Sequence, residues 1–351
     1  MRFHWFIVIL VVLAACERQV QTSPILEKTP LSKAQSAQID VTEKIQIDAD
    51  FPQVKAQMPK NLSQNRSVPI TKDITPKIPP TDEVIASPRS PVTKAPPKTV
   101  FSSWAFLLQG AVLDKLLAHP RDLYVVDIDD AQFTKDDLKT IQDKGQRVVS
   151  YLSIGEAEDY RDYWRPEFTQ GDPAWLEEEN PDWKGNYKVR FWDPDWQGII
   201  LDKLDKIVDT GYDGVYLDII DGYEYWQEKG EQNADERMVD FVKTVSRRAK
   251  AKNKDFLIIP QNSPELASKY LANIDGVGKE DTWYFEDEVK DKDIVDEQLS
   301  YLDSIKENGK FVLAIDYTKT YACDFQRVAA EHGFTPTIAD RDLAAIIDFE
   351  C

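Results

Sequence analysis

From Trp104 onward the chain alternates short apolar runs with stretches of helical periodicity. Eight runs stand out: Trp104 to Gln109, Leu123 to Asp127, Arg147 to Ser153, Gly214 to Asp218, Phe256 to Pro260, Ile274 to Gly278, Phe311 to Ile315 and Pro336 to Ala339. Their continuous apolar character predicts strands covered on both faces, and amphipathic spacing predicts helices at Asp136 to Lys144, Gly198 to Thr210, Asp235 to Lys252 and Asp293 to Asn308. Strands alternating with helices predict a parallel sheet, and eight such units predict a closed (β/α)8 TIM barrel. An open doubly wound sheet is the alternative, but no Gly-x-Gly-x-x-Gly loop follows the first run.

The carboxyl ends of these runs are polar. The second stops at Asp127, and the third passes through Tyr151 into Gly155 and Glu156. The fourth gives Asp218 and Asp221, and the fifth Gln261 and Asn262. The sixth leads to Glu280 and Asp281, the seventh to Asp316 and Tyr317. In a parallel barrel the loops at these ends converge on one mouth. A single Asp there is equally a turn former or helix N-cap. Recurrence at six strand ends argues instead for a pocket rimmed with carboxylates and amides.

One connection is long and rich in tryptophan. Residues 157–206 carry Trp164, Trp175, Trp183, Trp192 and Trp196, and Trp226 follows the fourth strand. Indole faces beside an acidic mouth suit the apolar C–H faces of sugars, and Trp192 is the candidate platform; packing of the loop onto the barrel is the competing role. The segment Phe191 to Trp196, FWDPDW, reads as a turn that sets the next helix, with Asp193 or Asp195 near its N-terminus.

Ahead of the barrel the pattern changes. Arg2, the apolar run Trp5 to Ala15 and then Cys16 read as a short signal peptide, too short to cross a bilayer comfortably as a permanent helix. Leu13, Ala14, Ala15 and Cys16 resemble the bacterial lipobox, which implies lipidation of Cys16; Glu17 after it favours the outer membrane of the cell envelope where the host has one. Residues 17–100 hold 12 of the 20 prolines and no tryptophan, so they are expected to form a disordered tether. Residues 101–351 are expected to be the folded domain.

Charge narrows the ligand classes. The whole chain carries −19, the tether +3 and the signal segment +1 from Arg2, and residues 101–351 therefore −23. A domain this acidic is a poor nucleic-acid binder and suits a neutral or cationic ligand. Cys323 and Cys351 do not form a zinc pattern, and only three histidines are present, so neither a metal nor another cofactor is expected. Whether these two cysteines pair as a disulfide is left open. A Gly-x-Ser-x-Gly elbow is absent.

Together the segments YLSIGEAEDYRDYW (Tyr151 to Trp164), FWDPDW, GYDGVYLDIID (Gly211 to Asp221), IIPQN (Ile258 to Asn262) and the strand end at Glu280 resemble the glycoside-hydrolase family 114 superfamily, the endo-α-1,4-polygalactosaminidase-like barrels. The resemblance covers residues 101–351. It implies a barrel that cleaves an α-linked amino-sugar polysaccharide with an Asp after the fourth strand and a Glu after the sixth. These positions are Asp218 and Glu280, with Asp221 competing for the first. Lys279 and Asp281 flank Glu280 and leave the division of acid and base roles open. The candidates for holding sugar hydroxyls or an ammonium group are Asp127, Tyr151, Glu156, Trp192, Asp221, Asn262 and Asp316. The expected protein is an endo-acting hydrolase, monomeric and anchored through Cys16. A glycan-binding lipoprotein without turnover, and metal-assisted hydrolysis at Asp127, Asp218 and Asp316, are the alternatives.

Overall fold

The computed structural model describes residues 100–285, 287–349 and 351. The expectations of a signal peptide, of lipidation at Cys16 and of a tether fall on residues outside these, apart from residue 100. No helix among the described residues is long and apolar enough to cross a membrane.

The chain runs through β1 (Trp104–Leu107), β2 (Leu123–Val126) and β3 (Arg147–Ser153), then the short strands β4 (Glu156–Glu158), β5 (Leu176–Glu179) and β6 (Asn186–Val189). It continues through β7 (Gly214–Asp218), β8 (Leu257–Pro260), β9 (Gly276–Glu280), the short pair β10 (Tyr284–Phe285) and β11 (Glu288–Val289), β12 (Phe311–Asp316) and β13 (Thr335–Ile338). The helices are α1 (Leu113–Ala118), α2 (Ile128–Ala131), α3 (Lys135–Gln142), α4 (Pro194–Thr210), α5 (Gly222–Glu228), α6 (Ala234–Lys252), α7 (Lys292–Glu307) and α8 (Ala322–Glu331).

The parallel strands β1, β2, β3, β7, β8, β9, β12 and β13 form the TIM barrel, with β1-β2-β3-β7-β8 in one hydrogen-bonded sheet and β9-β12-β13 in another. Two seams join them. At the first, Gln261 bridges Gly278, and the Asn262 N–H donates to the Gly278 carbonyl at 2.9 Å. Side chains close the second: Trp104 Nε1–H donates to the Thr335 carbonyl (2.9 Å), Thr335 Oγ1 to that of Phe101 (2.8 Å), and Thr337 Oγ1 to that of Trp104 (2.9 Å). Beyond β13, the Leu343 carbonyl accepts from the N–H groups of Leu108 and Gln109.

Strand periodicity sorts the residues into two layers. Phe106, Val125, Val149, Tyr216, Ile259 and Leu313 point inward and fill the barrel. Val126, Val148, Val215, Ile258, Val277 and Val312, one position out of phase, meet the helices. On α6, Met238, Phe241, Val242 and Val245 are spaced to form one buried stripe against the sheet. Helix α4 starts as its sequence predicts: the Asp193 carboxylate accepts from the Asp195 N–H, Pro194 occupies the first turn, and Gly211 at φ 104° ends it.

The tryptophan-rich connection is a folded insertion. Its strands β4, β5 and β6 form an antiparallel sheet in the order β4-β6-β5. Trp175 and Trp196 pack with their rings tilted at 41°, 4.9 Å between centroids, in the core beneath it. Cys323 and Cys351 are free, exposed thiols, and Cys351 Sγ–H donates to Gln326 Oε1 at 3.7 Å, one helical turn from Cys323.

Candidate active site

A cavity of about 400 Å³ opens at the carboxyl ends of the barrel strands. Of the nine residues proposed from sequence, seven line it: Asp127, Tyr151, Glu156, Asp218, Asp221, Asn262 and Glu280.

Asp218 ends β7 in phase with the inward-facing Tyr216, so it is delivered to the mouth by strand geometry alone. Its Oδ2 accepts from the Tyr151 hydroxyl at 2.7 Å and its Oδ1 from the Ile219 N–H at 2.8 Å. Ile219 has φ 59°, a strained value for a β-branched residue. The Ile219 carbonyl lies where a Cβ on residue 155 would be, 2.1 Å away, which is why Gly155 follows β3.

Glu280 ends β9 in the same phase as Gly278 and is fully buried. Oε1 accepts from the Tyr317 hydroxyl, and Oε2 from Asn262 Nδ2 at 3.3 Å. Asn262, itself at φ 61°, also receives the Glu280 N–H at 3.3 Å. The strand is displaced from its expected bounds, Ile274 to Gly278, because Gly276 and Gly278 blunt the apolar signal. Both glycines are required: a Cβ at Gly278 would sit 1.9 Å from the Tyr216 hydroxyl, and one at Gly276 would overlap the Phe311 ring.

Burial pushes both carboxyls up. Glu280 rises to about 7, chiefly through desolvation and then the neighbouring Asp281 charge. Asp218 is held well above the usual carboxylate range, first by burial and then by the Glu280 charge. Near neutrality Glu280 therefore holds its proton in part, and its charge when ionised opposes ionisation of Asp218.

Other acids in the cleft are already committed. Asp127 is held by Arg161 at 2.6 Å, and the same guanidinium takes Glu158 at 2.6 Å and Asp129 at 3.2 Å. Glu156 is buried beneath the insertion, accepting from Asn180 Nδ2 (2.9 Å) and Lys188 Nζ, and so it anchors β6. Asp221 differs. Its carboxylate has no hydrogen-bond or ion-pair partner among the described residues, and burial, then the charge of Glu156, raises it to about 6. One turn on, Glu224 lines the same cleft and is raised to about 7, again by burial first.

Two of the nine lie apart from the cavity. Trp192 does not line the cavity: it packs edge-on against Trp226 (4.8 Å), with Arg237 over its face at 4.6 Å. Trp183, in the β5–β6 turn, lines the cleft instead, with the half-exposed Tyr160, whose ring lies under Arg161 at 5.0 Å. Asp316 is also outside the cavity. It shares the phase of Val312 and Ala314, which face the helices, and its Oδ1 accepts from the N–H groups of Tyr317 (2.8 Å) and Thr318 (3.0 Å). The trio Asp127, Asp218 and Asp316 is therefore not gathered around one point, and no cluster able to hold a metal occurs among the described residues. Tyr317, the next residue, is the one that β12 aims inward. The alternation Leu313, Ile315, Tyr317 marks it, although the seventh run offers Asp316 as its candidate.

Comparison with known proteins agrees with this architecture. An uncharacterised protein of Methanocaldococcus jannaschii is 36% identical over 261 residues, covering 68% of this chain and 75% of that protein. One from Thermotoga maritima is 30% identical over 264 residues, covering 69% and 82%. Among solved structures, Aspergillus fumigatus Ega3 in complex with galactosamine superposes with TM-score 0.57 at 22% identity, covering 74% of this chain and all of that one. The glycoside hydrolase domain of PelA from Pseudomonas aeruginosa gives 0.56 at 17% identity, covering 70% and 96%. These two likenesses establish the shared fold. With the family model matching residues 84–350, most of the chain including every residue of the cleft, the protein belongs to glycoside-hydrolase family GH114.

Proposed function

We propose that the protein cleaves internal α-linkages of an amino-sugar polysaccharide, of the α-1,4-galactosamine type, with Asp218 and Glu280 as its carboxyl pair. Glycoside hydrolysis needs one protonated acid for the leaving oxygen and one carboxylate to attack the anomeric carbon or activate water. Glu280 is assigned as the proton donor and Asp218 as the carboxylate, because the hydrogen bonds from the Tyr151 hydroxyl and the Ile219 N–H favour the charged form of Asp218 against its burial. The observation that carries this reading is the pair itself: two buried acids of raised pKa on one cleft floor, each held by a tyrosine hydroxyl.

Asp221 is the weaker alternative to Asp218. The charges that act on it most are those of Glu156, Lys188, Lys279 and Glu265, not that of Glu280. Its unpartnered carboxylate, with Glu224 beside it, suits a hexosamine ammonium, whose charge would restore both acids to ionisation. Galactosamine bound to the structurally similar Ega3 supports the same substrate class. The cell-envelope location and the Cys16 anchor belong to the proposal as well. Incorporation of labelled fatty acid, lost in Cys16→Ser, tests them.

The activity test is hydrolysis of de-N-acetylated galactosamine polymer by the full chain, followed by reducing-end release. Asp218→Asn and Glu280→Gln are expected to abolish it. Full activity in both would refute the assignment, and binding without turnover by the wild type would return the reading to a silent glycan-binding protein.

A further inference from the structure

Arg341 lies in the segment after β13, remote in sequence from the acids. Its guanidinium reaches two residues that bracket Glu280. It stacks over the Tyr317 ring, 3.9 Å from the centroid, and Tyr317 donates its hydroxyl to Glu280 Oε1. It also forms a two-pronged ion pair with Asp281, Nη1 to Oδ2 and Nη2 to Oδ1, both 3.1 Å. Asp281 follows Glu280 directly and sits at φ 48°. Its buried charge is the largest electrostatic influence on the Glu280 carboxyl.

We propose that Arg341 is a positioning residue for the acid at Glu280, fixing the Tyr317 ring and neutralising Asp281. The inference rests on the role given to Glu280 above. The guanidinium accomplishes this at the expense of its own hydrogen bonding: Nε is buried without a partner among the described residues. An arginine placed only for burial would satisfy that donor; this one is oriented by the ring face and the carboxylate. A lysine offers neither the plane for stacking nor the fork for two parallel bonds. The remaining groups around Glu280 are Lys279 on its own strand, Asn262 after β8, and Tyr216 and Asp218 from β7. None of them contacts the Tyr317 ring in the way Arg341 does.

The test uses the full chain with R341A, R341K, Y317F and the double variant Y317F/R341A on the galactosamine polymer. R341A is expected to lower kcat by about 10²-fold, the scale of a misplaced catalytic group, with KM within about twofold. Y317F/R341A should be no slower than the slower single variant, because both act through one contact. R341K should remain close to R341A. With Asp281 left to the charges of Lys279 and Lys290 alone, the fall in kcat at high pH should move to higher pH in R341A, a shift that a purely structural role does not produce. Unchanged kcat, multiplicative losses in the double variant, or a loss confined to KM would overturn the proposal. If R341A fails to fold, D281N/R341M removes both halves of the buried pair, and Asn tolerates the left-handed backbone at 281. Wild-type kcat in that variant would also overturn it. An inactive wild type would overturn this inference and the proposed function together; an active wild type with unaltered R341A overturns this one alone.

Discussion

Replacing Glu280 with Gln should remove activity and raise stability, and the stability gain has a calculable pH dependence. In the unfolded chain this carboxyl ionises near 4.5, whereas in the folded protein it does so at about 7. Between those values the folded state keeps a proton that the unfolded state releases, so stability falls as pH rises through this window. A rise of this size corresponds to about 3 kcal/mol, lost in full above pH 7. Gln resembles the protonated acid in shape and charge but cannot ionise. Glu280→Gln should therefore match the wild type near pH 4.5 and exceed it by about 3 kcal/mol at pH 8, or roughly 6–12 °C in Tm for a domain of this size. Relief of the charge acting on Asp218 adds in the same direction. Thermal unfolding of both proteins at pH 4.5, 6 and 8 reads the effect, while kcat should fall by about 10² to 10⁴. Equal Tm values at pH 8, or a gain equal at both extremes, would refute the claim that a buried ionised carboxylate destabilises this fold.

Tyr151→Phe removes a hydrogen bond to Asp218 and should lower kcat roughly tenfold, as expected for one charge-assisted bond; steady-state kinetics at fixed pH checks it. Wild-type kcat/KM should decline as pH rises through about 7, because Glu280 must hold its proton; a decline already complete by pH 5 would contradict the assignment. Arg161→Ala strands Asp127 and Glu158 without their cation and should cost about 3–5 kcal/mol in urea unfolding at neutral pH. Trp183→Ala should raise KM for polymer by about three- to tenfold without changing Tm, whereas Trp192→Ala should cost about 2 kcal/mol of stability and leave KM alone.

Much of the fold was legible because parallel strands buried on both faces leave continuous apolar runs. Arg147–Ser153 and Gly214–Asp218 match their expected bounds, and the other barrel strands shift by two residues or fewer at either end. Helix α4 was announced by its Asp-Pro start. The insertion was not legible: β4, β5 and β6 are three or four residues long and rich in Glu, Asn and Lys, so no alternation marks them. The acid pair was legible from strand ends, but the distinction between cleft and helix-facing acids required phase. Asp218 continues Tyr216, whereas Asp316 continues Ala314, and only the first pair points inward. The arginine and lysine partners of Asp127 and Glu156 come from the insertion, and no local pattern links residues 34 or 32 positions apart.

The seam between β1 and β13 also sets an order of events in time. Thr337 and Trp104 are 233 residues apart, and the bond that joins them spans nearly the whole domain. Local βα units can collapse as they form, but this contact cannot begin until the last strand is available. Until then Trp104 lacks the carbonyl that receives its indole N–H, and Leu108 and Gln109 lack the one that receives their amides. Any partly folded chain with its barrel strands paired but the ring open would present two bare sheet edges, and closure of the seam is what removes them.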